Sequence, residues 1–309
     1  MEHHRTSGEE AKEAEETSLR ALARLRPGAP VDLAAIPSDA TPGFAGAKAA
    51  GRAETAAMGA ELAALQERLY AAATGGDRRR LLLVLQGMDT SGKGGTVKHV
   101  AGQVNPSGCR IQAFKAPTEE ERAQHFLWRV TRALPKAGEI GVFDRSHYED
   151  VLVVRVHGLV PEPVWTRRYD EINAWERALA DDGVTFVKVF LHIGHEEQRE
   201  RLLARLDKPH KHWKFDAGDI EERRRWPEYQ RAYAAALERC STDAAPWYVV
   251  PADRKWYRNW AVSRLLLEHL RALDPPYPTG DFDVAAIRAR LRAEKAEAKV
   301  AKAKPQAQL

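Results

Sequence analysis

Leu81-Leu-Leu-Val-Leu-Gln-Gly87-Met-Asp-Thr-Ser-Gly-Lys93-Gly-Gly-Thr96 is the stretch whose reading decides the fold. It opens on a short, unbroken apolar run, the pattern of a strand buried on both faces. Gly87 to Lys93 then satisfies GxxxxGK, and a helix-forming segment follows. Strand before and helix after are the context this motif requires. Glycines there let successive N–H groups turn inward around a phosphate, the helix N-terminus adds its positive end, and the Lys93 ammonium can reach the outer phosphates. Gly87, Gly92, Lys93, Gly94, Gly95 and Thr96 are therefore the expected phosphate- and nucleotide-binding residues.

Gly94 follows the lysine where this motif ordinarily has Ser or Thr, so the hydroxyl that usually ligates magnesium is missing. Two carboxylates stand in for it. Asp89 lies inside the loop, and Asp144 ends the apolar run Ile140–Phe143, where a metal-holding acid belongs. The bland reading of Asp89 is a turn residue bonding its own backbone.

Outward from the loop, strands and helices alternate. Arg110–Phe114, Ile140–Phe143, Thr185–Ile193 and Trp247–Val250 read as strands, with helices at about 95–104, 119–133, 164–180 and 256–273. This order predicts an α/β fold with a mostly parallel sheet covered by helices on both faces. A helix over about 48–73 carries Met58, Leu62, Leu65 and Leu69 at three-and-four spacing. The charged segment 195–240 interrupts the alternation and reads as a helical lid. Residues 1 to about 25 are polar with no useful apolar face, and the Ala/Lys/Arg tail after Ile287 reads as a solvated extension. The expected division is thus an N-terminal extension over 1–75, a core over 76–275 that carries the GxxxxGK loop, with its lid at 195–240, and a basic tail over 276–309.

The chain has 309 residues, 44% of them hydrophobic, enough for one large α/β domain with appendages. No apolar run approaches the roughly 20 residues of a membrane span, and no signal-peptide core follows Met1, so the expected location is the cytoplasm. Cys109 and Cys240 are far apart with no ligand spacing, and are expected to be buried small hydrophobes. A net charge of +4 is too even to announce a nucleic-acid binder. The distribution matters more than the sum, since basic residues crowd between Arg199 and Arg225, mixed with aromatics and prolines.

Four motifs in order carry a resemblance. Gly87-Met-Asp-Thr-Ser-Gly-Lys-Gly-Gly-Thr96, Phe143-Asp-Arg-Ser-His-Tyr-Glu-Asp150 and Arg201…Arg205…Trp213-Lys-Phe215 together resemble the polyphosphate kinase 2 family, as does Ala245-Pro-Trp-Tyr-Val-Val-Pro-Ala-Asp-Arg-Lys-Trp-Tyr-Arg258. The resemblance implies a P-loop, thymidylate-kinase-like fold and reversible transfer of a phosphoryl group between inorganic polyphosphate and nucleotides. It also implies Mg²⁺, with Mn²⁺ as its substitute, held by Asp89 and Asp144. Lys93, Asp144, Arg145, Arg201 and Arg205 become the expected catalytic residues. The Ser146-His-Tyr-Glu-Asp150 wording is similar to the subgroup accepting both mono- and diphosphates (AMP and ADP, then GMP and GDP), which makes Glu149 the acceptor-selectivity candidate. His147 is expected to pack or hydrogen-bond rather than act as a base. The family implies a homo-oligomer, dimer or tetramer, and no specific nucleic-acid partner. An ATP-dependent nucleotide kinase on the same fold is the nearest rival, and a non-enzymatic nucleotide-binding regulator the rival from another class.

Overall fold

Side chains on a strand alternate between two faces, so a run that is apolar at every position must be covered twice. In the computed structural model, which describes residues 18–303, the first strand does this. Leu81, Leu83 and Leu85 enter one apolar cluster, while Leu82 and Val84 enter the other. The chain runs α1 (Leu19–Ala23), α2 (Lys48–Thr74), β1 (Arg80–Gln86), α3 (Lys93–Ala101), β2 (Cys109–Ala113), α4 (Glu119–Arg122), α5 (Trp128–Arg132), β3 (Ile140–Asp144) and α6 (Val153–Val156). It continues through α7 (Glu162–Asp181), β4 (Val184–His192), α8 (His195–Leu206), α9 (Gly218–Arg224), α10 (Trp226–Cys240), β5 (Trp247–Pro251), α11 (Lys255–Leu273) and α12 (Val284–Ala303).

The five strands form one parallel sheet in the order β2-β3-β1-β4-β5. Helices α1, α2, α3 and α11 cover one face, and α7 and α10 the other. The α/β fold with helices on both faces is as expected. Register places Leu85 of β1 beside Asp144 of β3, so the loops leaving the two strands emerge side by side. A parallel sheet binds ligands in that position, beyond the carboxyl ends of adjacent strands.

Four local expectations are corrected. Residues 1–17 lie outside the described residues, but 18–25 are not a polar fringe. Leu19 and Ala23 are buried, and Glu268 of α11 accepts hydrogen bonds from the N–H groups of Leu19 and Arg20 at 3.2 and 2.9 Å, capping α1. Five residues are too few to show a helical period. The expected helix over 119–133 is two short pieces: a Thr118–Glu121 capping box starts α4, which stops at Arg122, and the His125 ring accepts from the Leu127 N–H between them. The segment expected to be a lid is not uniform, because α10 buries Tyr229, Ala232, Tyr233, Ala236, Leu237 and Cys240. Cys109 is only half-buried, unlike Cys240. Residues from Pro278 onward form a separate unit, in which α12 exposes Val284, Ile287 and Leu291.

One polar cluster lies inside the core. Lys188 of β4 is fully buried and donates to Glu176 of α7 at 2.5 Å, to the Tyr148 hydroxyl at 2.7 Å and to the Cys240 carbonyl at 2.7 Å. The other Glu176 oxygen accepts from His147 at 3.1 Å and from Tyr148 at 2.9 Å. Burial would push the Glu176 carboxyl up, but Lys188 and His147 outweigh it and hold it below its usual range. Burial lowers His147, which donates through Nε2 as a neutral imidazole and serves packing rather than base catalysis. Removing one partner of such a pair strands the other charge. Lys188→Met should therefore lose about 3–5 kcal/mol in urea unfolding. The double variant Lys188→Met/Glu176→Met should be less destabilised than the sum of the two single variants.

Candidate active site

The loop from Gly87 to Gly92 depends on backbone conformations that few residues adopt. Gly87 has φ 152°, Gly92 has φ 107° and caps α3 in the left-handed region, and Thr90 is left-handed at φ 64° despite its branched side chain. Strain of this kind survives only where surrounding bonds enforce it. The enforcement comes from three distant side chains. Gln198 of α8 donates to the Asp89 carbonyl at 3.0 Å. Arg201 donates through Nη1 to the Thr90 and Ser91 carbonyls at 2.8 and 3.0 Å. Arg258 of α11 approaches the Ser91 carbonyl at 3.4 Å.

Inside the loop, Lys93 is buried and folded back, with Nζ 2.7 Å from the Gly87 carbonyl and 3.3 Å from that of Met88. Burial, then repulsion from Arg145, lowers its pKa, while Asp89, Asp144 and Glu149 oppose the shift. Thr90 Oγ1 and Ser91 Oγ are buried with no hydrogen-bond partner. Hydroxyl donors without a partner suit phosphate oxygens, which accept several bonds at once.

Across the gap, Arg145 leaves the end of β3 with φ 64°. Its guanidinium donates to Asp89 at 2.9 Å and lies 3.7 Å from Glu149. Burial pulls its pKa down, but Glu149 and Asp89 reverse this and raise it. Asp144 Oδ2 faces the start of α3, where a Cβ on Gly94 would stand 3.6 Å away. The carboxylate thus looks onto the exposed helix terminus formed by Gly94 and Gly95, with Thr96 buried behind and bonded to the Gly92 carbonyl.

Among the described residues no three His, Cys, Asp or Glu side chains cluster tightly enough to hold a metal by themselves. Asp89 and Asp144 nevertheless fit a hard divalent cation, which takes one or two carboxylates and completes its shell with phosphate oxygens and water.

The structure thus brings Lys93, Asp89, Asp144, Arg145 and Glu149 together. It places Arg201 differently from a phosphate ligand: its five N–H donors go to Glu197 at 2.6 Å, to the Thr90 and Ser91 carbonyls, and to the carbonyls of Ala252 and Asp253 at 2.7 and 2.9 Å. Arg205 is engaged within the lid, on the Lys214 carbonyl and Asp219. Sequence reasoning missed Gln198, Arg258, Glu222 and Tyr229. Gln198 could have been found from its three-residue spacing to Arg201, and Arg258 closes a motif already singled out. Glu222 and Tyr229 wall the cleft between loop and lid, whose volume is only about 30 Å³.

Comparison with known proteins identifies the family. The family model described as Polyphosphate kinase 2 (PPK2) matches residues 46–277. The AMP/ADP-polyphosphate phosphotransferase of Meiothermus ruber is 50% identical over 255 residues, 82% of this chain and 94% of that protein. The ADP-polyphosphate phosphotransferase of Rhodopseudomonas palustris is 44% identical over 229 residues, 70% of this chain and 78% of that one. The crystal structure of a polyphosphate kinase 2 from Arthrobacter aurescens TC1 superposes with a TM-score of 0.87 at 50% identity, covering 89% of this chain and 97% of that one. By its loop, its strand-end acid and these relatives, the chain belongs to the polyphosphate kinase 2 family.

Proposed function

We propose that the protein is a phosphotransferase that moves the terminal phosphoryl group of inorganic polyphosphate reversibly onto nucleoside mono- and diphosphates, AMP and ADP first. The observation that supports it best is the facing pair of strand ends, where Arg145 bridges to Asp89 at 2.9 Å across a loop that holds Lys93 and open hydroxyls. Relatives named for AMP and ADP as acceptors support the same reading.

Phosphoryl transfer passes through a loose transition state with charge spread over several oxygens, so cations and aimed N–H groups supply most of the catalysis. The loop N–H groups and Lys93 would bind the donor end of the polyphosphate, and Arg145 would neutralise charge on the transferring group. The family suggests a divalent cation requirement. Mg²⁺, held by Asp89 and Asp144, would supply further charge neutralisation between phosphate oxygens. The same proposal includes a core over 76–275, residues 276–309 as a tail outside it, a homo-oligomer and a cytoplasmic location. Among the described residues no helix is long and apolar enough to cross a membrane.

The cleft as it stands is narrow, about 30 Å³, so an extended polyphosphate would enter more readily if one wall moved. Opening falls to residues 207–225 rather than to α8, since lifting α8 would break the Gln198 and Arg201 bonds that shape the loop.

Purified protein with polyphosphate, Mg²⁺ and AMP or ADP should form ADP and ATP. Activity only when ATP replaces polyphosphate as donor would instead identify an ordinary nucleotide kinase. Lys93→Ala should lower kcat by about a hundredfold or more with unchanged far-ultraviolet circular dichroism; near-normal turnover would overturn the mechanism. Glu149→Asn should shift the ratio of kcat/KM for AMP over ADP toward ADP, and an unchanged ratio would remove Glu149 from acceptor choice. Limited proteolysis should cut within 207–225 in the free protein and be suppressed by tripolyphosphate, whereas cleavage within α8 would contradict the opening assigned to 207–225.

A further inference from the structure

Arg258 is a buried cation to which the phosphoryl-transfer scheme above assigns no part. It sits on α11, only 5% exposed. No carboxylate among the described residues pairs with it: Nε and Nη2 donate to the amide oxygen of Asn259 at 3.2 and 2.8 Å, and Nη1 approaches the Ser91 carbonyl at 3.4 Å. Burial, then repulsion from Arg201, pulls its pKa down to about 10. A second guanidinium, that of Arg201, donates to the same Ser91 carbonyl at 3.0 Å. Two like charges converging on one carbonyl is an expensive arrangement in a protein interior.

The packing shows what the arrangement does. A Cβ on Gly92 would stand 1.7 Å from Arg258 Nη1 and 2.8 Å from Cζ, and one on Gly95 would stand 3.3 Å from Nη2. The guanidinium therefore presses Nη1 end-on against the turn that leads into α3, and Gly92 is required there for space as well as for its φ of 107°. The described chain has no cis peptide bonds. In a planar trans peptide the carbonyl and the N–H point in opposite directions. Holding the Ser91 carbonyl outward thus directs the Gly92 N–H to the other side, into the concave face of the loop.

We propose that Arg258 is a positioning residue for phosphoryl transfer: with Arg201 it fixes the Ser91–Gly92 peptide so that its N–H meets phosphate, and its unpaired charge is balanced by the polyphosphate anion. The inference rests on the polyphosphate reading and deepens it. Charge balance is completed only when the anion arrives, so the free protein carries a penalty that the bound one does not.

The test compares thermal unfolding and steady-state kinetics, with inorganic tripolyphosphate as the binding probe. Asn259→Asp keeps the shape of the acceptor but gives Arg258 a carboxylate. It should raise the Tm of the free protein, reduce the tripolyphosphate-induced Tm increase, and raise KM for polyphosphate more than it lowers kcat. Arg258→Met should lower kcat/KM by about tenfold or more, the loss expected for a charged hydrogen bond, and Arg258→Lys should recover part of it. A Tm increase with tripolyphosphate that is the same in wild type and Asn259→Asp would overturn the proposal, since a purely structural Arg258 would shift the free and the bound protein alike. If Arg258→Met does not fold, Asn259→Asp still decides. If tripolyphosphate does not stabilise the wild type, the polyphosphate reading fails and this inference with it.

Discussion

A loop that binds anions with its backbone must have its carbonyls occupied elsewhere, and the rest of this structure depends on that constraint. Each peptide of the loop carries an acceptor that would repel phosphate if it turned inward. Here the Asp89, Thr90 and Ser91 carbonyls are taken by Gln198, Arg201 and Arg258. These partners lie more than a hundred residues further along the chain. The sheet order brings them back: β4 lies beside β1, and β5 beside β4, so α8 and α11 start next to the loop. The topology is therefore part of the site's chemistry.

The opposite wall is held by a different device. Asp144, Arg145 and Glu149 sit on a short segment whose next residues, Ser146, His147 and Tyr148, are buried. Glu176 and Lys188 grip that segment from beneath through His147 and Tyr148. A buried ion pair adds little net stability compared with an apolar replacement, but it fixes geometry, because every donor direction must be met. The left-handed Arg145 and the strand-end acid thus rest on a base with few alternative packings.

Much of this was legible in the sequence for physical reasons that can be named. The strand before the loop was readable because an apolar run covered on both faces has no periodicity to confuse it, and GxxxxGK fixes the turn after it. Asp144 was readable because it terminates another such run. The partnership of Arg201 was not. An arginine in a basic segment offers the same sequence signal whether it meets phosphate or backbone, and here all five donors meet carbonyls or Glu197. The end of the lid was misread because α10 is rich in arginine, glutamate and alanine, yet one face buries Tyr229, Tyr233 and Leu237. Charge content concealed the amphipathic period. At α4 and α5 the break comes from a capping box and a histidine side chain, local bonds that outweigh helical propensity.

The charges around the cleft carry the argument one step further. Asp89, Glu149 and Glu222 face it together with Arg145, while Lys93 is turned back onto loop carbonyls. In the free protein Arg145 and Lys93 are thus satisfied by neighbouring acids and loop carbonyls, which lets these two be buried at tolerable cost. On the proposed mechanism a polyphosphate end would compete for those same cations with several charges on one chain. Asp89, once released by Arg145, would be free to help hold a divalent cation. Arg145 would then link donor binding to metal binding, because it is the group bonded to Asp89.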